Sequence, residues 1–332
     1  MAIDDSDRTV VLSENNDKTL YGHCPLCGAR FAMDQSVDGL LRCSVCRYTQ
    51  KQEFSVEPGS IIGGKYRVLS PLDEGGFGKI FICHPLSDMQ TRYVLKILRG
   101  ASRQNSLRFK REASILSTIS NKRITRIYDY WDNESEFLIV MEYVNGKNLL
   151  QLKNDYVFDE GTVLAIAREV VFGLKDIWEQ YAVIHRDIKP ANIMLDENQR
   201  IKILDFGLSK QCGCENDSLM NFTMANACMG TPGFMSPEQF SDFKNVDFRT
   251  DIFSLGATMF FLLTDQKPFS GTAISDIHNS TLKNSPPPVE KFGNSCSKEV
   301  IALISKMMQF KPQDRYADYD SLLADIDGCL EI

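Results

Sequence analysis

The sequence predicts an α+β chain, a β-rich lobe followed by a helical lobe, with a small metal-stapled module ahead of both. Three observations carry this. Short strand-like runs bounded by turns fill residues 61–144, among them Tyr66-Arg67-Val68-Leu69, Lys79-Ile80-Phe81-Ile82-Cys83 and Tyr93-Val94-Leu95-Lys96-Ile97. Beyond residue 145 the apolar period becomes helical, clearest at Val163, Ile166, Val170, Leu174 and Ile177. Near the start, the pairs Cys24-Pro25-Leu26-Cys27 and Cys43-Ser44-Val45-Cys46 are separated by 15 residues. The expected boundaries are 1–17 for an acidic, disordered tail and 18–56 for the cysteine module. A linker around Glu57-Pro58-Gly59-Ser60 takes 57–61, and the two lobes take 62–144 and 145–332.

With 332 residues the chain is long enough for two lobes and a module. Its 43% hydrophobic and 24% charged residues are those of a soluble globular protein. A net charge of -7 argues against a broad nucleic-acid-binding surface. No apolar run reaches membrane-spanning length. Met1 to Asp17 carries five acids and one base and lacks the pattern of a secretory signal, so a cytoplasmic location is the default expectation. Of ten cysteines, Cys83, Cys212, Cys214, Cys228, Cys296 and Cys329 are scattered and suggest free thiols rather than a disulfide framework.

The two Cys-x-x-Cys pairs have the spacing of a four-thiolate zinc site. Cys24, Cys27, Cys43 and Cys46 would close a tetrahedral shell with no position open to a reacting water, so the expected role is structural. Arg30-Phe31-Ala32-Met33 and Gly39-Leu40-Leu41-Arg42 read as short strands between the knuckles. About 40 residues bury too little apolar surface to fold alone, which leaves metal binding to supply much of the energy. His23 reads as a surface residue, since four cysteines suffice. The segment resembles zinc ribbons. Its mildly basic balance fits docking to a protein partner better than to nucleic acid.

A polar constellation lies in the second lobe. His185-Arg186-Asp187-Ile188-Lys189-Pro190-Ala191-Asn192 is followed, 13 residues after Asn192, by Asp205-Phe206-Gly207. Between them, Ile193-Met194-Leu195 and Ile201-Lys202-Ile203-Leu204 flank Asp196-Glu197-Asn198-Gln199, which reads as a hairpin with a polar turn. Such a hairpin gathers Asp187, Asn192 and Asp205 around one point. Asp187 can accept a proton from a hydroxyl, and Asn192 and Asp205 offer the oxygen ligands that Mg2+ prefers. In order and spacing these residues resemble the catalytic loop and metal-binding triplet of eukaryotic-type protein kinases.

That resemblance covers residues 62 to about 328 and implies the bilobal kinase fold. Asp73-Glu74-Gly75-Gly76-Phe77-Gly78 resembles the glycine-rich loop, whose backbone N–H groups approach phosphate oxygens. Asp73 replaces the usual first glycine, an acid that would weaken nucleotide binding. Lys96 matches the lysine that contacts phosphates, and Glu112 the helix glutamate that pairs with it in the active state. Met141 takes the position behind the adenine pocket. Backbone groups of Glu142 and Val144 would bond the adenine edge, and Ile80, Val94 and Met194 would sandwich the ring. Val94 is bulkier than the usual alanine.

In the helical lobe, Lys189 is the Ser/Thr-kinase form of the loop and would neutralise the transferring phosphoryl group. Gly230-Thr231-Pro232-Gly233-Phe234-Met235-Ser236-Pro237-Glu238 resembles the end of an activation segment, with Ser236 replacing alanine and a Ser-Pro-Glu-Gln ending that leans toward bacterial members. Thr231 is expected near Asp187 and Lys189, Glu238 paired with Arg315, and Asp251 bracing the catalytic-loop backbone. Thr223 is the expected self-phosphorylation site, ahead of Ser218, while Ser209 lies too near the triplet. Cys212, Cys214 and Cys228 are weighed as redox-sensitive thiols. Arginine-directed relatives carry carboxylates where Asn148, Ala191 and Phe261 stand, so upstream arginine selection is not expected.

The resemblance therefore implies a Ser/Thr protein kinase that uses ATP and Mg2+ on protein substrates and on itself, with structural Zn2+ in the ribbon. The rival reading is a pseudokinase scaffold for partner binding. It would be favoured by loss of Lys96, Asp187 or Asp205, none of which is lost.

Overall fold

In a computed structural model of the chain, the described residues are 56–75, 78–99, 103–132, 136–206, 232–241, 246–269, 271, 274–292 and 296–331, together with five short strands before them. The chain divides into two compact units, Met1–Glu57 and Pro58–Ile332.

The first unit contains β1 (Ser13–Glu14), β2 (Leu20–His23), β3 (Arg30–Ala32), β4 (Leu40–Arg42) and β5 (Thr49–Lys51). Strands β1, β2 and β3 form an antiparallel sheet, with Tyr21 opposite Ala32, and β4 pairs with β5. The two strands predicted between the knuckles appear as β3 and β4. A difference is β1, which lies within the predicted disordered tail and pairs Ser13 with Tyr21. Cys24, Cys27, Cys43 and Cys46 lie outside the described residues. Among the described residues, no three His, Cys, Asp or Glu side chains gather as a metal site.

The second unit begins with β6 (Ile61–Ile62), β7 (Tyr66–Gly75), β8 (Gly78–Pro85) and β9 (Tyr93–Arg99), followed by helix α1 (Arg103–Thr118), β10 (Ile127–Asp132) and β11 (Glu136–Glu142). These strands form one antiparallel sheet in the order β10-β11-β9-β8-β7-β6. Its register decides which side chains face the cleft. Lys96 lies opposite Ile80 and Ile139, and Val94 opposite Ile82 and Met141. Successive strand residues alternate faces, so these six share one. Leu98 continues that face, and α1 packs there through Ala113 and Leu116.

The helical lobe follows with β12 (Gly146–Asn148), α2 (Leu149–Asp155), α3 (Glu160–Tyr181), the hairpin β13 (Ile193–Asp196) and β14 (Ile201–Ile203), then α4 (Pro237–Ser241), α5 (Arg249–Thr264), α6 (Ile274–Asn284), α7 (Lys298–Met307) and α8 (Tyr319–Leu330). Asp159 caps α3 by accepting the Thr162 N–H at 2.7 Å. All five apolar positions read from its period are buried. Helix α5 is apolar around most of its circumference and buried from Thr250 to Phe260, which makes it the centre of the lobe. Helices α3 and α7 pack on it. No helix among the described residues is long and apolar enough to cross a membrane.

Candidate active site

The predicted hairpin forms with Ile193 opposite Ile203, both fully buried. Its turn is closed by the Asp196 carboxylate, which accepts the N–H groups of Asn198 and Arg200 at 2.8 Å each. The Leu204 N–H donates to the Asn192 carbonyl at 2.9 Å. That bond holds the two ends of the hairpin together and so brings Asp205 beside Asn192.

The loop before the hairpin is fixed from beneath. Asp251, buried in the first turn of α5, accepts the backbone N–H of His185 and of Arg186, both at 2.7 Å. A carboxylate is favoured at a helix N-terminus, and charge-assisted bonds of this kind are strong. Arg186 adopts a left-handed backbone, φ 65°, and its carbonyl accepts Gln239 Nε2 at 2.9 Å. His185 Nδ1 accepts the Asp187 N–H at 3.2 Å, so the ring proton sits on Nε2 and is donated to the Leu204 carbonyl at 2.7 Å. His185 thus links the loop to the residue before Asp205.

Asp187 Oδ2 accepts Lys189 Nζ at 3.0 Å and Asn192 Nδ2 at 2.9 Å. Asn192 Nδ2 also donates to the Asp187 carbonyl at 2.8 Å. Its amide nitrogen is committed to the loop, which leaves its side-chain oxygen as the ligand atom. Lys96, 8% exposed, reaches across to Asp205 Oδ1 at 2.8 Å. This is not the pair with Glu112 that the resemblance implied. Glu112 sits half-buried on α1, and Lys96–Glu112 is not among the ion pairs of the described residues.

These groups line a cleft of about 670 Å3 between the sheet and the helical lobe. Ile80, Val94, Met141, Glu142, Val144 and Met194 line it, together with Lys96, Asp187, Lys189, Asn192 and Asp205. The Glu142 N–H donates to the Arg126 carbonyl at 2.8 Å, which narrows its adenine-facing backbone group to the carbonyl. The Glu142 carboxylate pairs with Lys202 at 2.7 Å, away from that role. Around the glycine-rich turn, Asp73 lies opposite Ile80, Glu74 opposite Lys79 and Gly75 opposite Gly78. Gly76 and Phe77 lie outside the described residues, as do Thr231, Thr223, Ser218, Ser209 and the cysteines at 212, 214 and 228. The Cys83 thiol is buried and pushed up to about 12 by that burial, so it is an inert packing group.

Asn192 and Asp205 fit an Mg2+ site of the kind that takes one or two protein oxygens and fills its remaining positions from water and substrate phosphates. Their oxygens open into the same cleft, and Lys96 occupies only one of the two Asp205 oxygens.

Behind the loop, Arg315 spends all five N–H donors on protein acceptors. Nη1 and Nη2 form a bidentate pair with Glu238 at 2.7 and 2.8 Å, and the carbonyls of Gln309, Arg249 and Phe310 take the rest. Burial alone would raise the Glu238 carboxyl, but the bonds and charge of Arg315 outweigh it and hold the group below its ordinary value. Glu238 also accepts Thr250 Oγ1, Thr250 meets Ser236 Oγ at 3.2 Å, and Gln239 Oε1 accepts the Ser236 N–H at 3.0 Å. Ser236, noted in the sequence only as a replacement for alanine, therefore belongs to a polar network that runs from Arg315 to the catalytic loop. Gln239 and Leu72, which lines the cleft, were not singled out by sequence reasoning. Leu72 could have been found from its place directly before the glycine-rich turn.

The chain matches the protein kinase domain family over residues 66–325, and it belongs to that family. It is 32% identical over 282 residues to a probable serine/threonine-protein kinase of Streptomyces coelicolor, covering 81% of this chain and 40% of the relative. It is 33% identical over 279 residues to the serine/threonine-protein kinase pkn3 of Myxococcus xanthus (81% and 50%) and 30% identical over 276 residues to PrkC of Bacillus subtilis (81% and 41%). The chain thus spans half or less of the length of these curated relatives. In fold it resembles the crystal structure of Rad53 residues 1–466 in complex with AMP-PNP, with a TM-score of 0.64 at 21% identity over 78% of this chain and 64% of that one.

Proposed function

We propose that the chain is a Ser/Thr protein kinase that moves the γ-phosphoryl group of MgATP to Ser and Thr hydroxyls of proteins, its own among them. The observation that carries this reading is the Asp187–Lys189–Asn192 cluster facing the Lys96–Asp205 pair across one cleft. Phosphoryl transfer requires alignment and charge neutralisation more than covalent help from the protein. The Asp187 carboxylate orients the incoming hydroxyl and accepts its proton. The hydroxyl oxygen bonds to the γ-phosphorus as the bond to the β–γ bridging oxygen breaks, and ADP leaves. Lys96 and Lys189 offset the phosphate charge from opposite sides. Mg2+ held by Asn192 and Asp205 would add further charge neutralisation. Lys189 beside Asp187 supports Ser and Thr as acceptors. A scaffold without catalysis has no use for this complete set, which is why the scaffold reading is set aside.

In the same reading, Cys24, Cys27, Cys43 and Cys46 hold one structural Zn2+, and the ribbon so formed docks a protein partner. The spacing of the cysteines supports this. The test of the catalytic reading is transfer of radiolabelled phosphate from ATP to a generic protein substrate by the purified chain. Asp205→Ala is expected to abolish transfer while leaving the chain folded, as judged by an intact cooperative unfolding transition. Near-normal transfer in that variant would refute the assignment.

A further inference from the structure

We propose that a second, apolar pocket beside the catalytic loop selects protein substrates by a bulky apolar side chain within about three residues of the accepting hydroxyl, and that it refuses arginine there. The inference rests on the kinase reading above. The pocket has a volume of about 180 Å3 and shares Lys189 and Ala191 with the nucleotide cleft. Leu150, Pro190, Phe234 and Phe261 form its apolar wall. Phe234 and Phe261 meet edge to face, with ring centroids 5.8 Å apart and planes at 85°. That contact fixes the shape of the pocket floor. An apolar cavity of about 150 Å3 is enough to hold a benzene ring, so this one admits a leucine, methionine or phenylalanine side chain. Leu150, in the first turn of α2, leaves 44% of its surface exposed. An entering side chain would cover that apolar surface.

Charge decides what is refused. Among the described residues, the charged groups on the wall are Lys189 and Lys267, and no carboxylate is among them. Gly233 borders this wall: a Cβ there would stand in ordinary contact with Lys267 Cβ and Cδ at 3.9 Å and tighter, at 3.2 Å, against the Phe269 carbonyl. An arginine entering this pocket meets the like charge of Lys189 and Lys267, and the nearby Asp187 carboxylate already bonds Lys189 at 3.0 Å, so the charge-assisted bonding that would favour arginine is missing from the described wall. The distance to the chemistry follows from Lys189, which bonds Asp187 at 3.0 Å and also lines the pocket. An extended substrate advances about 3.3 Å per residue, so a side chain seated here belongs to a residue close to the one presenting its hydroxyl to Asp187.

The test uses the full chain, MgATP and peptide libraries with one fixed Ser or Thr acceptor, each neighbouring position varied in turn. At one position, peptides with Leu, Met or Phe are expected to show kcat/KM about tenfold or more above glycine, with arginine below glycine. Phe261→Glu places a carboxylate on the floor and should cut the apolar preference to about twofold while admitting arginine. Because Phe261 packs on Phe234, Leu150→Glu at the exposed rim serves as a second variant, with the same reversal expected. Peptide phosphorylation without apolar preference at any tested position overturns the inference and leaves the kinase reading standing. So does a preference unmoved in whichever variant folds. A chain that transfers phosphate to no peptide, no protein and not to itself overturns the kinase reading, and this inference with it.

Discussion

Gln239 Nε2 donates to the carbonyl of Arg186 at 2.9 Å, directly ahead of Asp187. The same side chain accepts the Ser236 N–H at 3.0 Å, so one buried amide ties the start of α4 to a left-handed residue of the catalytic loop. Left-handed backbone at a non-glycine residue persists only where its surroundings hold it. Asp251 holds it from the N–H side and Gln239 from the carbonyl side. Gln239→Leu keeps the volume and removes both bonds, each worth about 1–3 kcal/mol when a buried partner is left unmet. The expected outcome is a fall in kcat of about tenfold with the KM for ATP within about twofold, because the nucleotide contacts lie elsewhere in the cleft. Unchanged kcat in steady-state assays would show that Gln239 does not position the loop.

The other end of this network gives a pH prediction. The folded Glu238 carboxyl lies below its ordinary value of 4.5. A depressed folded value means that the pair with Arg315 contributes its full stability above about 4.5 and loses it as pH falls through the folded value. Glu238→Gln leaves the buried guanidinium without its anion and should cost about 3 kcal/mol at neutral pH. Urea unfolding of both proteins across the acid range checks this. The gap between them should be constant at neutral pH and shrink on acidification. A gap independent of pH would mean that Glu238 is not charged in the folded chain.

The contrast between what local pattern encodes and what it does not is clear at Lys96. That it lies on a strand and faces the cleft was legible, because alternation and motif spacing fix the face, although the strand runs on to Arg99 rather than ending at the lysine. Its partner was not, because the choice between Glu112 and Asp205 depends on where α1 sits against the sheet, and no local period records that. The buried stripe of α3, the hairpin at Ile193 and Ile203, and the Glu238–Arg315 pair were legible for the same reason as the strand. Each depends on spacing within one segment or on a residue that its motif resemblance already matched. Gln239 was not, since a glutamine in the first turn of a short helix looks like solvated surface. The pocket beside the catalytic loop was legible only in part: Ala191 and Phe261 were named as positions lacking a carboxylate, but Leu150, Phe234 and Lys267 join them from separate stretches of the chain that no local pattern links.

The cysteine module has its own test. Metal analysis of the chain purified without chelator should give about one zinc per chain, lost in the Cys43→Ser/Cys46→Ser variant. Proteolysis should then cut the first unit selectively, since a module of this size depends on its metal for folding. Metal-free protein from an unaltered chain would remove zinc from the reading without touching the catalytic one.

Two glycines should respond to the same substitution with opposite signs. Gly256 lies in the middle of α5, where a Cβ would meet Met307 Cβ and Met308 Cγ at 2.9 Å each. Met307 Cβ is anchored to the backbone of α7, so relief requires that helix to shift. Overpacking of this kind costs about 1–3 kcal/mol, and the gain of about 1 kcal/mol from placing alanine in a helix offsets only part of it. Gly328, on the exposed side of α8, has nothing within 4 Å of its added Cβ. There the helix gain stands alone. Gly256→Ala should therefore lower the thermal midpoint and Gly328→Ala raise it, each by a few degrees for a unit of this size. The two changes sit on different helices and should add in the double variant. Calorimetry of the three proteins checks both signs at once. A stabilised Gly256→Ala would mean that α5 and α7 lie farther apart than the 2.9 Å approach requires.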